Sequence, residues 1–254
     1  MTTHQQSTID QFTRQAVHFS QMPGHNDEES LGLLIAAAGL SEGDTVLDVA
    51  CGSGIVACAF AEIAAHVTGI DITPAMLEQA ASLAATRDLK NLSWHQGDIE
   101  TLPFPDDSFS VVLSRYAFHH FLHPHRVLFE MVRVCHSGGR ILVVDAVLPD
   151  DQVEAYNQFE KLLDPSHSSA LTFTELNRLV KDAGLKNVEL QFYRMEMELE
   201  QQLATSFPNP GDDKKVRDLV RGDIGIDRLG IGAHLRGEKI HYTYPVTVLV
   251  GVKS

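Results

Sequence analysis

The chain has 254 residues, 44% of them apolar and 21% charged, which excludes disorder, collagen and coiled coil and leaves a globular protein with a sizeable core. Its formal charge of −14 and pI near 5.3 oppose a phosphate backbone, so nucleic acid is excluded as the main partner. Three cysteines, Cys51, Cys58 and Cys135, without C-x-x-C spacing do not make a disulfide scaffold and fit a reducing cytoplasm. No Lys or Arg precedes Arg14 in a polar amino terminus, and the longest apolar run, residues 31–40, is about half of what a membrane helix needs. A cytoplasmic protein with no signal peptide and no membrane span is expected.

In chain order, Ile9, Phe12, Ala16 and Phe19 recur at helical spacing, and a second helix is predicted over 27–38, opened by acidic residues and closed by Gly39. Residues 45–49 read as a short buried strand, followed by a glycine turn and a small-residue helix over 55–65. A strand over 66–70 leads into a helix from Pro74 to about Arg87, with Thr73 as its N-cap. Residues 92–96, 109–114 and 140–147 are predicted strands, the last entered through Ser137-Gly-Gly139 after a helix over 126–134. Such alternation predicts a parallel sheet covered on both faces. After Pro149 come helices over 152–163 and 174–183, a strand over 188–194 and an alternating last strand over 242–252. Residues 196–239, rich in charge and glycine and without a strand pattern, are expected to form a helical excursion that shapes a binding site. No Pro/Ser linker interrupts the chain, so residues 1–254 are expected to be one domain.

The informative segment is Val46-Leu-Asp-Val-Ala-Cys-Gly-Ser-Gly54, a buried strand running into a glycine turn that opens a helix, where backbone N–H groups can meet a ligand. Gly52-x-Gly54-x-x-Ala57 also satisfies the dinucleotide fingerprint, and Asp71 at the end of the second strand suits a ribose in either case. Asp48 discriminates: a carboxylate at the end of the first strand repels a pyrophosphate and attracts an ammonium or sulfonium group. Gly97-Asp98-Ile99, past the third strand, offers an acceptor and an adjacent amide to an adenine edge. Both favour S-adenosylmethionine over a nicotinamide cofactor.

On these residues the chain resembles the class I S-adenosylmethionine-dependent methyltransferases, in the group that includes the ubiquinone and menaquinone-biosynthesis enzymes. The matching stretches are residues 46–54, Gly69-Ile-Asp-Ile72, the run from Gly97 to Phe109, and Arg133-Val-Cys-His-Ser-Gly-Gly-Arg140, in the family's order. The resemblance implies a Rossmann-like, doubly wound seven-stranded α/β sheet, mostly parallel with an antiparallel last strand. It also implies lid helices over 1–40, a cofactor-binding core over 41–147, and substrate-side helices and strands over 148–254. Asp48, Ala50, Gly52 and Gly54 would surround the methionine part, and Asp71 would take the ribose hydroxyls. Ile72 and Met76 would enclose the adenine, while Gly97, Asp98 and Ile99 would read its edge. Ser114 and Arg115 would sit beside the methionine moiety, and Phe19, Tyr116 and Phe118 would face the acceptor. Where the quinone-biosynthesis enzymes carry an Arg-Asn pair, this chain has Ala117-Phe-His-His-Phe121, which argues against a quinone.

Methyl transfer is an in-line displacement that needs alignment and exclusion of water, with a base only when the nucleophile arrives protonated. His119 and His120 are the expected catalytic residues, against the competing reading of pocket-lining histidines. No metal site is expected in the run from His119 to His125, because neither carboxylate nor thiolate completes a ligand set there. The expected function is methyl transfer to a C, N or O nucleophile of a small molecule, by a monomer or homodimer. The alternatives are an NAD(P)-dependent oxidoreductase and a non-catalytic S-adenosylmethionine-binding protein.

Overall fold

A computed structural model describes residues 2–19 and 27–254, apart from the side chains of His18 and Phe19. The described helices are α1 (Thr3–Phe19), α2 (Glu28–Ala38), α3 (Ile55–Ala61), α4 (Pro74–Thr86), α5 (Pro124–Val134), α6 (Val153–Leu163), α7 (Phe173–Asp182), α8 (Leu199–Ser206) and α9 (Asp212–Asp223). The strands are β1 (Thr45–Val49), β2 (His66–Asp71), β3 (Leu92–Gln96), β4 (Phe109–Arg115), β5 (Cys135–Leu148), β6 (Leu171–Thr172), β7 (Lys186–Glu198), β8 (His234–Arg236) and β9 (Lys239–Val252). They form one sheet in the order β3-β2-β1-β4-β5-β9-β7, with β6 against β5 and β8 against β9. Strands β1 to β5 run parallel, and β9 inserts antiparallel between β5 and β7. The strand order reverses at β1, where β4 joins on its other side, so β1 and β4 open a crevice at their carboxyl ends.

Alternation along β1 shows how the sheet acquires two cores. Val46 joins Leu34, Phe60, Val67 and Leu142 beneath α2 and α3, whereas Leu47 and Val49 join Leu128, Met131 and Ile141 beneath α5 and α7. A third core of Tyr156, Phe159, Val216, Val220 and Tyr242 ties α6 and α9 to β9. Asp27 caps α2 by accepting from Ser30 N at 2.8 Å, and Gly39 ends that helix in the left-handed region at φ 55°.

Several boundaries differ from the sequence reading. Thr73 occupies the N-cap position of α4, yet its side chain makes no capping bond; its own N–H instead donates to Asp71 Oδ1 at 2.8 Å. Helix α3 ends at Ala61, short of residue 65. Pro124 opens α5, where its missing N–H costs nothing. The expected strand over 188–194 extends to Glu198, inside the segment read as lacking strand, and β8 adds three residues more. Main-chain pairing to β9 supplies the hydrogen bonds of β7 whatever its side chains, and as an edge strand it needs no apolar alternation.

Candidate active site

A cavity of about 410 Å³ opens at the carboxyl ends of β1, β2 and β4, roofed by α1. The turn after β1 contributes Asp48, Ala50 and Gly52, the end of β2 and start of α4 contribute Asp71, Ile72 and Met76, and the stretch after β3 contributes Asp98 and Ile99. Arg115, Tyr116 and His120 close the wall from β4. Ala50 and Tyr116, the residues that leave β1 and β4, both hold left-handed backbone, at φ 58° and 55°. Such conformations cost non-glycine residues roughly 1–2 kcal/mol and concentrate at functional sites.

Two carboxylates dominate the floor. Asp71 accepts from Gly52 N at 2.9 Å and from Thr73 N at 2.8 Å, so it locks the glycine turn to the second strand. Burial raises its pKa, and those backbone bonds work against the rise. Asp48 is 2% exposed, and its Oδ2 has no hydrogen-bond partner among the described residues. Burial, reinforced by the charge of Asp71, pushes Asp48 up to about 8. An acceptor atom withheld from water and left without a donor is complementary to an N–H bearing cation. Opposite these groups, the Arg115 guanidinium lies 4.3 Å from the centre of the Tyr116 ring and donates to Ser30 Oγ at 3.1 Å. Tyr116 in turn bonds Tyr193 hydroxyl to hydroxyl at 2.5 Å.

The roof is pinned by polar contacts. His4 Nε2 lies 2.7 Å from the His120 carbonyl, Gln5 donates to Asp98 Oδ2 at 3.0 Å, and Gln11 and Gln15 donate to the Ser206 carbonyl at 2.6 and 3.1 Å. Helix α1 therefore bridges the rim of the cavity and the end of α8. Phe12, expected as part of a lid, lines the cavity and packs edge-on to the His120 ring at 4.9 Å.

A second, smaller cavity of about 90 Å³ adjoins the first, sharing Phe12, Tyr116 and His120 with it. His119 lines this inner chamber and engages Asp145 Oδ1 through Nδ1 at 2.6 Å. Burial alone would push His119 down, but the Asp145 carboxylate outweighs it and raises the imidazole above its ordinary range. His120 is pushed down to about 4, by burial first and by the neighbouring His119 charge second. Adjacent histidines thus have opposite characters. Glu160, 7% exposed, also lines the chamber; burial raises it to about 7 against the opposing pull of His119, and its Oε1 has no partner among the described residues.

Some expected site residues lie elsewhere. Phe118 does not face the cavity: it is buried in the core beside Val127 and Leu128. Gly54 does not line the cavity either, and an added Cβ would stand 2.7 Å from Ala80 Cβ and 2.8 Å from Trp94 Cη2, so close helix packing requires the glycine. Gly97 and Ser114 are likewise absent from the lining, Gly97 packing on Ile70 and Ser114 lying fully buried within β4. The side chain of Phe19 lies outside the described residues. Sequence reasoning missed Gln5, Asp145 and Glu160. Asp145 interrupts the apolar run Ile141-Leu-Val-Val144, and Glu160 falls on the apolar stripe of Tyr156, Phe159 and Leu163, so a charge at a core position was the available signal.

Known proteins share this fold and part of this sequence. Residues 47–143 match a family described as "Methyltransferase domain". The uncharacterized methyltransferase YcgJ of Bacillus subtilis is 29% identical over 246 residues, spanning 95% of this chain and 97% of YcgJ. Its crystal structure superposes with a TM-score of 0.83 over 89% of this chain and 99% of that one. The BH2331 protein of Bacillus halodurans C-125 follows at 0.80 and 26% identity, with 89% and 99% coverage. A geranyl diphosphate C-methyltransferase of Streptomyces coelicolor A3(2), in complex with S-adenosyl-L-homocysteine, shares the fold at a TM-score of 0.62 and 13% identity, covering 89% of this chain and 79% of that one.

Proposed function

The chain carries a class I S-adenosylmethionine-dependent methyltransferase domain, with S-adenosylmethionine as methyl donor, and from that premise we propose that it methylates a C, N or O nucleophile of a small-molecule metabolite. The observation that carries this reading is Asp48, a buried carboxylate with an unpartnered oxygen in the larger cavity. It suits the donor's ammonium and sulfonium charges and opposes the pyrophosphate of a nicotinamide cofactor.

Residue by residue, Asp48, Ala50 and Gly52 would hold the methionine part and Asp71 the ribose hydroxyls. Ile72 and Met76 would flank the adenine, and Asp98 and Ile99 would read its edge. The donor supplies, when bound, an electrophilic methyl carbon and a neutral thioether leaving group. The protein aligns and dehydrates: α1 roofs the cavity, and Tyr116, shared by both cavities, stands where donor and acceptor would meet. His119 has the position and the carboxylate partner of a general base, its Nδ1 held by Asp145 so that the other ring nitrogen is free to take a proton. His120, neutral at pH 7, is a wall of the site rather than a base. A small inner chamber suits a small acceptor.

Calorimetric titration with S-adenosylmethionine, S-adenosylhomocysteine, NADH and NADPH, alongside Asp71→Ala, tests the reading. Binding of the first two in the micromolar range, about −8 kcal/mol, and its loss in the variant are expected. Binding of NADH or NADPH without the adenosyl compounds would overturn it.

A further inference from the structure

The methyl-transfer reading leaves the acceptor open, and the inner chamber narrows it. Its ionisable lining, beyond the two histidines, is acidic: Asp145 from β5, Glu160 from α6 and Asp164 just after α6, with neither Lys nor Arg among the described lining residues. The His119–Asp145 pair is internally compensated. Glu160 and Asp164 are left to face a ligand, and Asp164 already accepts from Ser166 N at 2.7 Å and Ser166 Oγ at 2.6 Å.

Glu160 Oε1 and Gln202 Oε1, both lining the chamber, are withdrawn from solvent and have no hydrogen-bond partner among the described residues. Both unpartnered atoms are acceptors, so the missing groups are donors. The rings of Tyr156 and Tyr244 complete the wall, and aromatic faces beside carboxylates hold organic cations by charge and quadrupole together. A carboxylate or phosphate acceptor would bury its charge against Glu160, and the one ionisable cation of the described lining outside the neutral His120, His119, is already paired with Asp145.

We infer that the inner chamber binds the methyl acceptor as a small organic amine, its ammonium N–H groups donating to Glu160 and Gln202 and its carbon skeleton lying against Tyr156 and Tyr244. This inference rests on the methyl-transfer reading and assigns that reaction to nitrogen. The balance of the step is simple. With the His119 ring in its neutral form, Nδ1–H donating to Asp145, the ammonium gives one N–H proton to His119 Nε2, the released lone pair forms the N–CH₃ bond, and the electron pair of the breaking C–S bond goes to sulfur. The products are a methylated ammonium and a neutral thioether.

The probes are benzylamine, benzyl alcohol and benzoate, one skeleton with three head groups, titrated calorimetrically into the protein at pH 7 with and without saturating S-adenosylhomocysteine. Benzylamine is expected to bind at least about tenfold more tightly than benzyl alcohol, a difference of the size expected for a charged donor meeting a buried acceptor, and benzoate most weakly. Glu160→Gln is expected to remove most of that preference while leaving S-adenosylhomocysteine affinity unchanged, which also reports that the variant is folded. Equal binding of the three probes, tighter binding of benzoate, absence of binding by all three, or an amine preference that survives in Glu160→Gln would each overturn the inference. Failure of the donor reading shows separately, as loss of S-adenosylhomocysteine binding in the wild-type protein.

Discussion

Asp44 and Asp48 stand at the two ends of β1, four positions apart, and their environments are opposite. At the amino end, Asp44 accepts from Ser110 Oγ at 2.6 Å and from Ser41 N and Oγ at 2.8 and 2.9 Å, and pairs with Arg140. Burial alone would raise its pKa, but these partners together lower it. At the carboxyl end, Asp48 is buried beside a second carboxylate, keeps an unpartnered oxygen and is raised to about 8. One end of the strand is satisfied and closes the sheet; the other is left unsatisfied for a ligand to complete. A buried charge with its partners present is architecture, and one without them marks where chemistry happens.

That contrast breaks if the two aspartates respond alike to substitution. Asp48→Asn is expected to weaken S-adenosylhomocysteine binding by about 10- to 100-fold, the size of a charged hydrogen bond. It should also stabilise the ligand-free protein at pH 8.5. Because the folded pKa lies above the unfolded value, ionising Asp48 costs folding stability progressively from about pH 4 to about 8. Asp44→Ala should do the reverse, costing about 2 kcal/mol by removing the acceptor of Ser41 and Ser110 and the carboxylate partner of Arg140, which keeps its bonds to the Ala38 and Gly39 carbonyls, and leaving affinity intact. The lowered pKa of Asp44 makes its contribution full above the unfolded pKa and lost as acid titrates through the folded one. Denaturant melts and calorimetry on both variants decide; a destabilised Asp48→Asn that binds normally would dissolve the distinction.

The same contrast can be sharpened without mutation. An ammonium group pairs with the ionised form of Asp48, so the affinity for S-adenosylhomocysteine, which carries one, should rise with pH by up to about tenfold per unit below 8 and level off above it. Titrations in buffers of different ionisation enthalpy should show a proton released on binding. A flat affinity between pH 6 and 8 would mean that Asp48 does not meet the ligand's charge.

Gly54 supplies a smaller effect. Alanine there forces a Cβ onto Ala80 and Trp94 in a backbone at φ 76°, and should cost about 2 kcal/mol of stability, or roughly 4–8 °C in Tm for a chain of this size, with ligand affinity retained by the folded fraction. A stable Gly54→Ala protein that has lost affinity would return this glycine to the ligand site.

What the sequence made legible follows the same division. The strand-turn-helix from Thr45 to Ala61 combines apolar run, glycine turn and Asp48 in consecutive positions, so both the fold and the larger cavity could be read from it. Gly54 shows the limit of that reading, because a motif glycine looks the same in sequence whether it meets a ligand or Trp94. Phe118 fails for a related reason: beside two histidines in a short helical turn, its side chain takes the core-facing direction, which adjacency in sequence does not specify. The inner chamber was least legible. Its walls come from α1, β5, α6 and β9, brought together only by tertiary packing, and β7 formed through main-chain pairing that leaves no side-chain pattern.

Within that chamber the comparison repeats on a smaller scale, in two histidines adjacent in the chain. His119 is raised because Asp145 lies 2.6 Å from Nδ1, and His120 is lowered because burial and the His119 charge outweigh the pulls of Asp164, the Ser166 carbonyl and Asp145. Asp145→Asn keeps the shape of the pair and removes its charge. Burial then acts on His119 against only the weaker pulls of Glu160 and Asp164, so its titration, followed by the ring-proton resonances, should fall from its raised position. His120 should rise slightly, because a neutral His119 no longer repels its charge. The limb of the methyl-transfer rate that rises with pH should shift to lower pH along with His119, with a reduced plateau because a weaker base takes the proton. If His119 still titrates as high in Asp145→Asn, it owes its basicity to Glu160 or Asp164, and the groups that tune the base lie at the end of α6 rather than on β5.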